Sequence, residues 1–407
     1  MRQSKLFTKA ERTSPKDEVA KNAKLLARAG FVRKLSAGIY AYLPLGWRVM
    51  NKIMGIIREE MNAIGGQEMF MPAMVEKKYM EATGRWGLDV GFEVGAKGEK
   101  NAAYTLGWTH EEVLTVIASK FVGSYKDLPF YAYQIQTKFR NEARPQGGLI
   151  RTKEFLMKDL YSFHASEKDL LRYYEEVKQA YFRIFERCGL KTLYTIAAGG
   201  DFTISNTHEF QVLSEVGEDT IFYCEKCEYS ENSEISKLND GSKCPKCGGN
   251  IQKGRAIEAG NIFPLGTKYA EAFGLSFLDK EGKKQPVVMG SYGIGVGRLM
   301  GTIAEVLSDE EGLVWPVSVA PFAVHLLDLG GSRAETVYGD LQKAGISVLF
   351  DDRAISPGEK LVESALIGIP FRAVTSERTG EKIELKLRNE KETKLVTLSE
   401  LTKILKP

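Results

Sequence analysis

The chain has 407 residues, 43% of them hydrophobic, and its 56 lysines and arginines stand against 53 acids for a formal net charge of +3. That length exceeds one ordinary core, so two domains are expected, and the near balance of charge excludes a globally basic nucleic-acid surface; any such contact must come from a local patch. No apolar run is long enough to span a bilayer, and the amino-terminal stretch lacks an apolar core and carries Glu11, Asp17 and Glu18, so no membrane span, secretory signal or acid-poor transit peptide is expected and a cytoplasmic protein is the simplest reading.

A helix is predicted from Pro15 to residue 35, then a strand-like run from Gly38 to Leu43. Pro44 opens a second helix, in which Leu45, Val49, Ile53, Ile56, Ile57 and Met61 recur at helical spacing up to the Gly65-Gly66 stop. Gln67 to Pro72 reads as a strand whose proline confines it to a sheet edge, and a helix leading into an edge strand is a plausible dimer-forming element. Residues 128 to 163 read as a hairpin with a long loop through Pro145, Gly147 and Gly148, and on its return strand Arg151, Lys153, Phe155, Met157, Asp159 and Tyr161 share one face. Such a mixture makes a poor core and a good ligand wall. A helix from Tyr173 to Cys188, a Cys-rich insert over about residues 223–256, and a helix through Leu299 to Leu307 follow.

Beyond Pro316 the pattern changes to alternating short strands and helices: strands at Val324 to Leu329, Ile346 to Phe350, Phe371 to Val374, Ile383 to Arg388 and Lys394 to Leu398, with helices at Arg333 to Lys343, Pro357 to Ile367 and the carboxyl terminus. This is a separate α/β domain. Its basic and acidic residues balance, so a recognition surface on it must be a cluster such as Arg353, Lys360, Lys386 and Arg388.

Four of the five cysteines, Cys224, Cys227, Cys244 and Cys247, form C-x2-C-x16-C-x2-C. The spacing suits a tetrahedral structural Zn²⁺ with no open position for catalysis; two disulfides, or a relic without metal, are the alternatives.

Two segments carry the chemistry. If Phe139-Arg140-Asn141-Glu142 is a strand, Arg140 and Glu142 look into one cavity. In Gly290-Ser291-Tyr292-Gly293-Ile294-Gly295-Val296-Gly297-Arg298 the glycines strip one strand face so that a ligand can lie against backbone, and Arg298 enters at the start of the next helix. A polyphosphate fits such a place. Arg140 could hold an α-phosphate, Arg298 a terminal phosphate and Phe155 an adenine ring, with Mg²⁺ neutralising the rest; that is the equipment for activating a carboxylic acid with ATP. A dinucleotide fold is the weaker alternative, because the glycines run G-x-G-x-G and no later ribose-binding acid follows cleanly. Glu111 or Asp159 could pair with a substrate ammonium, but Thr109-His110-Glu111 reads equally as a helix cap with a first-turn acid. His208-Glu209-Phe210 reads equally as an exposed acid beside a packed aromatic.

These segments together resemble the class II aminoacyl-tRNA synthetases, specifically the prolyl family of bacterial type, over nearly the whole chain. Leu43-Pro44-Leu45-Gly46 with the helix to Gly66 and the strand to Pro72 is similar to motif 1; Phe139 to Pro145 with Arg151 to Asp159 to motif 2; Gly290 to Arg298 to motif 3. Trp108-Thr109-His110-Glu111-Glu112 resembles the family's T-x-E loop, and Gly345 to Arg353 with Gly368-Ile369-Pro370 its anticodon-binding domain. The resemblance implies an α+β catalytic domain built on an antiparallel sheet over residues 1–317, interrupted by the Cys-rich insert, and a carboxyl-terminal α/β anticodon-binding domain with a mixed sheet over 318–407. It implies catalytic roles for Arg140, Glu142 and Arg298, and ATP contacts from these with Arg151, Phe155 and Gln211. Proline contacts would come from Thr109, Glu111, Arg140, Met157, Asp159, Tyr161, His208, Phe210 and Ser291, and tRNA contacts from Arg144, Arg353, Lys386 and Arg388. The expected activity is ligation of proline to tRNA(Pro) through an adenylate, by a homodimer using ATP and Mg²⁺. A synthetase for another small amino acid, or a non-catalytic RNA-binding relative, is the alternative.

This sequence departs from the resemblance in two places. Bacterial members commonly carry a bulky editing domain between motifs 2 and 3, where this chain has only the short Cys-rich insert, so proofreading in cis is not expected. Asn261 stands where the family often has His.

Overall fold

The computed structural model describes all residues except 16, 17, 99, 100, 201, 204, 205 and 407. The described chain packs into two compact units, one of residues 1–35, 40–53 and 303–407, the other of 36–39 and 54–302.

The second unit is organised by a nine-stranded sheet. Its strand order is Thr207–Leu213, Leu193–Ala197, Ser230–Asn232, Asp219–Cys224, Ile251–Gly266, Val288–Gly295, Glu154–His164, Phe130–Phe139 and Gln67–Glu68, and Thr207–Leu213 also pairs with Ile251–Gly266. Every pairing is antiparallel except Ser230–Asn232 with Leu193–Ala197 and Gln67–Glu68 with Phe130–Phe139. The expected hairpin forms its central ladder, running from Phe130↔Phe163 to Phe139↔Glu154. The strand expected from Gln67 to Pro72 is shorter: only Gln67–Glu68 pairs, at the sheet edge.

Helix Glu167–Arg187 covers one face of this sheet. Its start is fixed by Ser166, whose hydroxyl accepts from the Asp169 amide, and it buries Tyr173, Val177, Tyr181, Ile184 and Phe185 at helical spacing. These meet Phe210, Lys158 and Tyr292, which alternation puts on that side. At one end of the opposite face, helices Glu111–Ala118 and Lys268–Ala272 enclose an apolar cluster that includes Trp108, Leu114, Tyr161, Phe163, Tyr269 and Met289.

In the first unit a five-stranded mixed sheet has the order Val348–Asp351, Val324–Asp328, Phe371–Thr375, Ile383–Leu387, Thr393–Val396, with the first two pairings parallel and the last two antiparallel. Helix Pro357–Ile367 begins with a capping box between Ser356 and Glu359 and ends at Gly368 in the left-handed region, φ 75°. Helix Pro44–Ala63 starts at its proline as expected. The helix expected over 15 to 35 is reduced to Lys21–Arg28, because Val32–Ser36 turns back on Ile39–Tyr42 as a hairpin; residues 16 and 17 of that expectation lie outside the described residues. Among the described residues no helix is long and apolar enough to cross a membrane.

Candidate active site

The uncovered face of the nine-stranded sheet gathers the charged residues. Register places Tyr161 opposite Ser291, Asp159 opposite Gly293 and Met157 opposite Gly295, so these share a face with Gln134, opposite Asp159, and Lys138, opposite Phe155. A Cβ on Gly293 would come within 2.9 Å of Asn261 Oδ1 and 3.8 Å of Met157 Sδ, so glycine keeps this floor bare.

The strand expected through Glu142 stops at Phe139. Arg140 prolongs the ladder by one bond, its amide donating to the Lys153 carbonyl at 2.8 Å, and the chain then turns, the Glu142 amide donating back to the Arg140 carbonyl at 2.7 Å. Glu142 is therefore carried off the strand. Its carboxylate accepts from Arg151 Nε at 2.6 Å, and Arg151 also meets Glu218 at 2.8 Å. The Arg140 guanidinium lies over the Phe155 ring, 5.3 Å from its centre. Burial lowers the pKa of Arg140, and the charge of Arg298 lowers it further, so the two guanidinium groups share one field. Arg298 is anchored through Nε to the Ile150 carbonyl at 2.9 Å and through Nη1 to Glu258 Oε2 at 2.9 Å; Nη2 takes part in neither bond.

Thr109 and Glu111 meet in the pocket although helix Glu111–Ala118 begins there. His110 takes the cap position without a side-chain bond, and the Thr109 hydroxyl donates to the Glu111 carboxylate instead of capping the helix. Ser291 Oγ donates to the other Glu111 oxygen at 3.0 Å. Tyr161 accepts from the His110 amide and donates to Asp159, each at 2.9 Å.

Asp159 is placed differently from the expectation. It is 3% exposed, and its carboxylate is held by the Lys138 ammonium at 2.8 Å, by Gln134 at 3.0 Å and by Tyr161. Burial pushes this carboxyl upward, but the Lys138 charge, with hydrogen bonds from Lys138 and Gln134, holds it below its ordinary range. A substrate ammonium would have to displace Lys138, so Asp159 supports the pocket from beneath. Lys138 also donates to His110 Nδ1 at 2.9 Å while His110 Nε2 bonds the Pro72 carbonyl. Burial and the Lys138 charge keep this imidazole neutral.

His208 and Phe210 are not brought to the pocket. His208 stacks on Tyr194 with centroids 4.3 Å apart and bonds Tyr174, while Phe210 is fully buried among Tyr181, Phe182, Phe185 and Tyr194. Alternation turns their neighbours Glu209 and Gln211 toward the site instead. Gln211 donates to Glu209 at 2.8 Å and to Asp219 at 2.6 Å, and its own carbonyl oxygen is buried without a hydrogen-bond partner among the described residues. Burial and the nearby Glu258 raise Glu209 to about 8 and Asp219 to about 6. Gln211 thus ties two crowded carboxylates together near Glu258, oxygen donors of the kind Mg²⁺ takes, although among the described residues only the four cysteines meet closely enough to hold an ion.

The four cysteines meet as the spacing requires. Their Sγ atoms all lie within 4.8 Å of one another, with Cys224 and Cys247 at 3.6 Å and Cys227 and Cys244 at 3.5 Å. A disulfide needs about 2.05 Å, whereas tetrahedral zinc with bonds of about 2.3 Å separates its sulfurs by nearly 3.8 Å. Both loops use one turn: the Glu228 amide donates to the Cys224 carbonyl and the Gly248 amide to the Cys244 carbonyl, with φ of 58° and 72° at the two donors. The donors fit zinc.

Of the residues expected to meet tRNA, Arg144 is exposed in the loop after Phe139. The three in the five-stranded unit, and Lys360 of the same expected basic cluster, do not form one open patch. Arg353 is paired with Asp351 and Glu363, Arg388 is 8% exposed against Asp309, and Lys360 is buried with its ammonium on the Asp328 and Asp351 carbonyls; Lys386 is half-buried on Ile383–Leu387. Local acids hold Arg353 and Arg388, and backbone carbonyls hold Lys360, which composition alone does not reveal.

Several site residues carry weak or no signal in sequence. Lys138 lies two residues before Arg140, so alternation points to it; Glu209 and Gln211 needed only the opposite phase for their strand. Glu258 sits on a long strand without a motif, and Arg85, which reaches Glu111 at 3.3 Å and Glu112 at 2.9 Å, comes from a segment with no local mark.

Comparison with known proteins agrees in every arm. Residues 92–307 match the tRNA synthetase class II core domain (G, H, P, S and T), and residues 317–407 match the anticodon binding domain. A proline–tRNA ligase of Geobacillus kaustophilus is 34% identical over 558 aligned positions, and one of Dehalococcoides mccartyi 32% over 555, each alignment covering 98% of both chains. Those alignments are longer than this chain, so the relatives carry residues with no counterpart here. Prolyl-tRNA synthetase of Cryptosporidium parvum, solved with L-proline and AMP, superposes with a TM-score of 0.77 at 20% identity, covering 94% of this chain and 74% of that one. The Giardia lamblia enzyme, solved with prolyl-adenylate, gives 0.76 at 20%, covering 94% and 75%. At that identity the likeness is one of fold.

Proposed function

Because the chain belongs to the class II aminoacyl-tRNA synthetases, among the proline–tRNA ligases, we propose that the open face of its nine-stranded sheet is where proline and ATP react. The chain activates proline and attaches it to tRNA. A carboxylate oxygen of proline attacks the α-phosphorus, the bond to the β-phosphate oxygen breaks, and pyrophosphate leaves with the electron pair. In the second step the terminal ribose hydroxyl attacks the activated carbonyl, and AMP leaves.

No protein nucleophile is required, so the chain's task is to position reactants and meet developing charge. Arg140 braces the α-phosphate where proline's carboxylate approaches, Arg298 turns Nη2 toward the terminal phosphates, and Phe155 stacks on adenine. Glu111, fixed by Thr109 and Ser291, receives the secondary ammonium of proline, with Met157 and Tyr161 lining the pocket. Glu142 and Arg151 tie down the loop that covers the nucleotide. Glu209, Asp219 and Glu258 would hold Mg²⁺, which supplies positive charge to the phosphates. The observation that carries this reading is the placement of two arginines from distant segments: Arg140 over the Phe155 ring, and Arg298, entering from the helix after the glycine strand, anchored to Ile150 and Glu258.

The rest of the assignment is proposed on the same footing. Residues 1–317 form the catalytic part and 318–407 the anticodon-reading part, with Arg144 near the acceptor stem and Lys386 the anticodon-domain cation least committed to neighbours. The cysteines hold structural zinc. The enzyme acts in the cytoplasm as a homodimer; a groove of about 400 Å³ beside the edge strand, lined by Met69, Ile117, Phe121 and Phe130, supports that contact, since Phe121 is 78% exposed. No domain between the motifs serves for editing, so alanine, which lacks only apolar atoms of proline, is activated at a measurable rate and alanyl-tRNA is not deacylated in cis. Proline-dependent exchange of pyrophosphate into ATP, run beside alanine and cysteine, tests the reading. Exchange strongest with proline is expected; none with proline would overturn it.

A further inference from the structure

We propose that Arg85 is a positioning residue for amino-acid recognition, and that Glu112 keeps it from neutralising Glu111. The proposal rests on the reading of Glu111 as the partner of the substrate's ammonium and extends it to two residues behind the pocket.

Arg85 is 4% exposed, and Glu111 and Glu112 are 1% and 0% exposed. One nitrogen, Nη1, reaches Glu111 Oε2 at 3.3 Å, Glu112 Oε1 at 2.9 Å and the Tyr269 hydroxyl at 3.2 Å. The guanidinium is wedged between aromatic rings, 4.9 Å from the centre of Phe202 and 5.7 Å from that of Trp108, so it cannot swing toward either acid. The other donors to the two carboxylates are the hydroxyls of Thr83, Thr109 and Ser291, which carry no charge.

Two carboxylates share one guanidinium, the shorter contact goes to Glu112, and among the described residues no other side chain bonds Glu112 Oε2. Asp159 cannot borrow from or lend to this cluster, since Lys138 already matches it. Burial and the neighbouring Glu111 push the Glu112 carboxyl upward, with Arg85 opposing them, yet the guanidinium keeps its shorter contact there; Glu111, whose remaining bonds come from neutral hydroxyls of the pocket, is the acid left to receive an incoming ammonium.

The test is pyrophosphate exchange with KM measured separately for proline and for ATP in Glu112→Gln, Glu111→Gln and Arg85→Lys, beside thermal unfolding of each. Glu112→Gln keeps the shape but turns the whole guanidinium charge onto Glu111, so KM for proline should rise roughly tenfold, the scale of one charge-assisted hydrogen bond, with KM for ATP unchanged. Arg85→Lys, which cannot span the two acids from a fixed fork, should shift the same constant in the same direction. A Glu112→Gln enzyme that moves neither constant, or both equally, overturns the proposal and leaves the residue a purely structural one. If Glu111→Gln itself leaves KM for proline unaltered, the ammonium reading fails first; if it raises KM while Glu112→Gln does not, only the role of Arg85 and Glu112 fails.

Discussion

The two faces of the nine-stranded sheet are built from the same strands but use burial in opposite ways. On the helix side Tyr173, Tyr181, Phe185, Phe210 and Tyr292 are all fully buried in mutual ring contacts, and even Lys158 is absorbed there, donating to the Tyr181 hydroxyl and the Tyr292 carbonyl. On the site side burial falls on ions: Lys138, Asp159 and Glu111 are all buried, and Lys138 and Asp159 shape each other's charge. The first face stabilises the fold through apolar area, whereas the second keeps charged groups poorly solvated so that a ligand finds them available. A strand that crosses between the two chemistries every residue allows sharp tests, because adjacent positions should fail in different assays.

The largest effect is expected at Phe210. Truncation to Ala removes a ring enclosed by four others and should cost about 3–5 kcal/mol of stability, read in denaturant unfolding, while the variant under native conditions keeps its KM for proline. A rise in that KM without loss of stability would put Phe210 on the site face and break the comparison. Next in size is Arg140→Ala, which should lower the rate of proline-dependent exchange by a hundredfold or more, about 3 kcal/mol of transition-state stabilisation, with little change in unfolding. Loss of stability without loss of rate would return Arg140 to the scaffold.

The same two positions show what was readable from sequence. The hairpin, the glycine-stripped strand with Arg298, the helix at Pro357 and the meeting of four cysteines follow from alternation, capping and ligand spacing, and each is observed. The loss of strand geometry after Phe139 was not readable, because the turn that carries off Glu142 depends on Arg151 and Glu218, which no local rule joins. Nor was the phase of Thr207–Leu213, where His-Glu-Phe-Gln offers an acid and an amide to one side and two aromatic rings to the other. Only the partner helix decides which side is covered. Arg85 and Lys138 were hidden for a related reason: a buried cation is defined by its tertiary acid, and the acid lies far along the chain.

A smaller effect is expected at the floor. Gly293→Ala would place its Cβ 2.9 Å from Asn261 Oδ1, the end of a side chain that can yield. The displaced amide would intrude on the bare floor proposed for the nucleotide, so KM for ATP should rise by a few-fold, about 1 kcal/mol, with KM for proline less affected. Equal growth of both constants would mean that the floor serves the two substrates jointly.

The effect most specific to the covered face is the acid response of His208. Its pKa is lowered to about 4 by burial, with Lys178 adding to the shift, whereas the unfolded side chain titrates near 6.5. Between those values the unfolded chain binds the proton and the folded chain does not, so stability falls as pH drops from about 6.5 toward 4 and is unaffected by this group at higher pH. His208→Asn, which cannot take up the proton, should flatten that part of the unfolding profile while leaving the pH dependence of exchange as it was. If instead the substitution altered the rate profile and not the unfolding profile, the imidazole would belong to the site, and the division of labour between the faces would have to be redrawn with Thr207–Leu213 turned over.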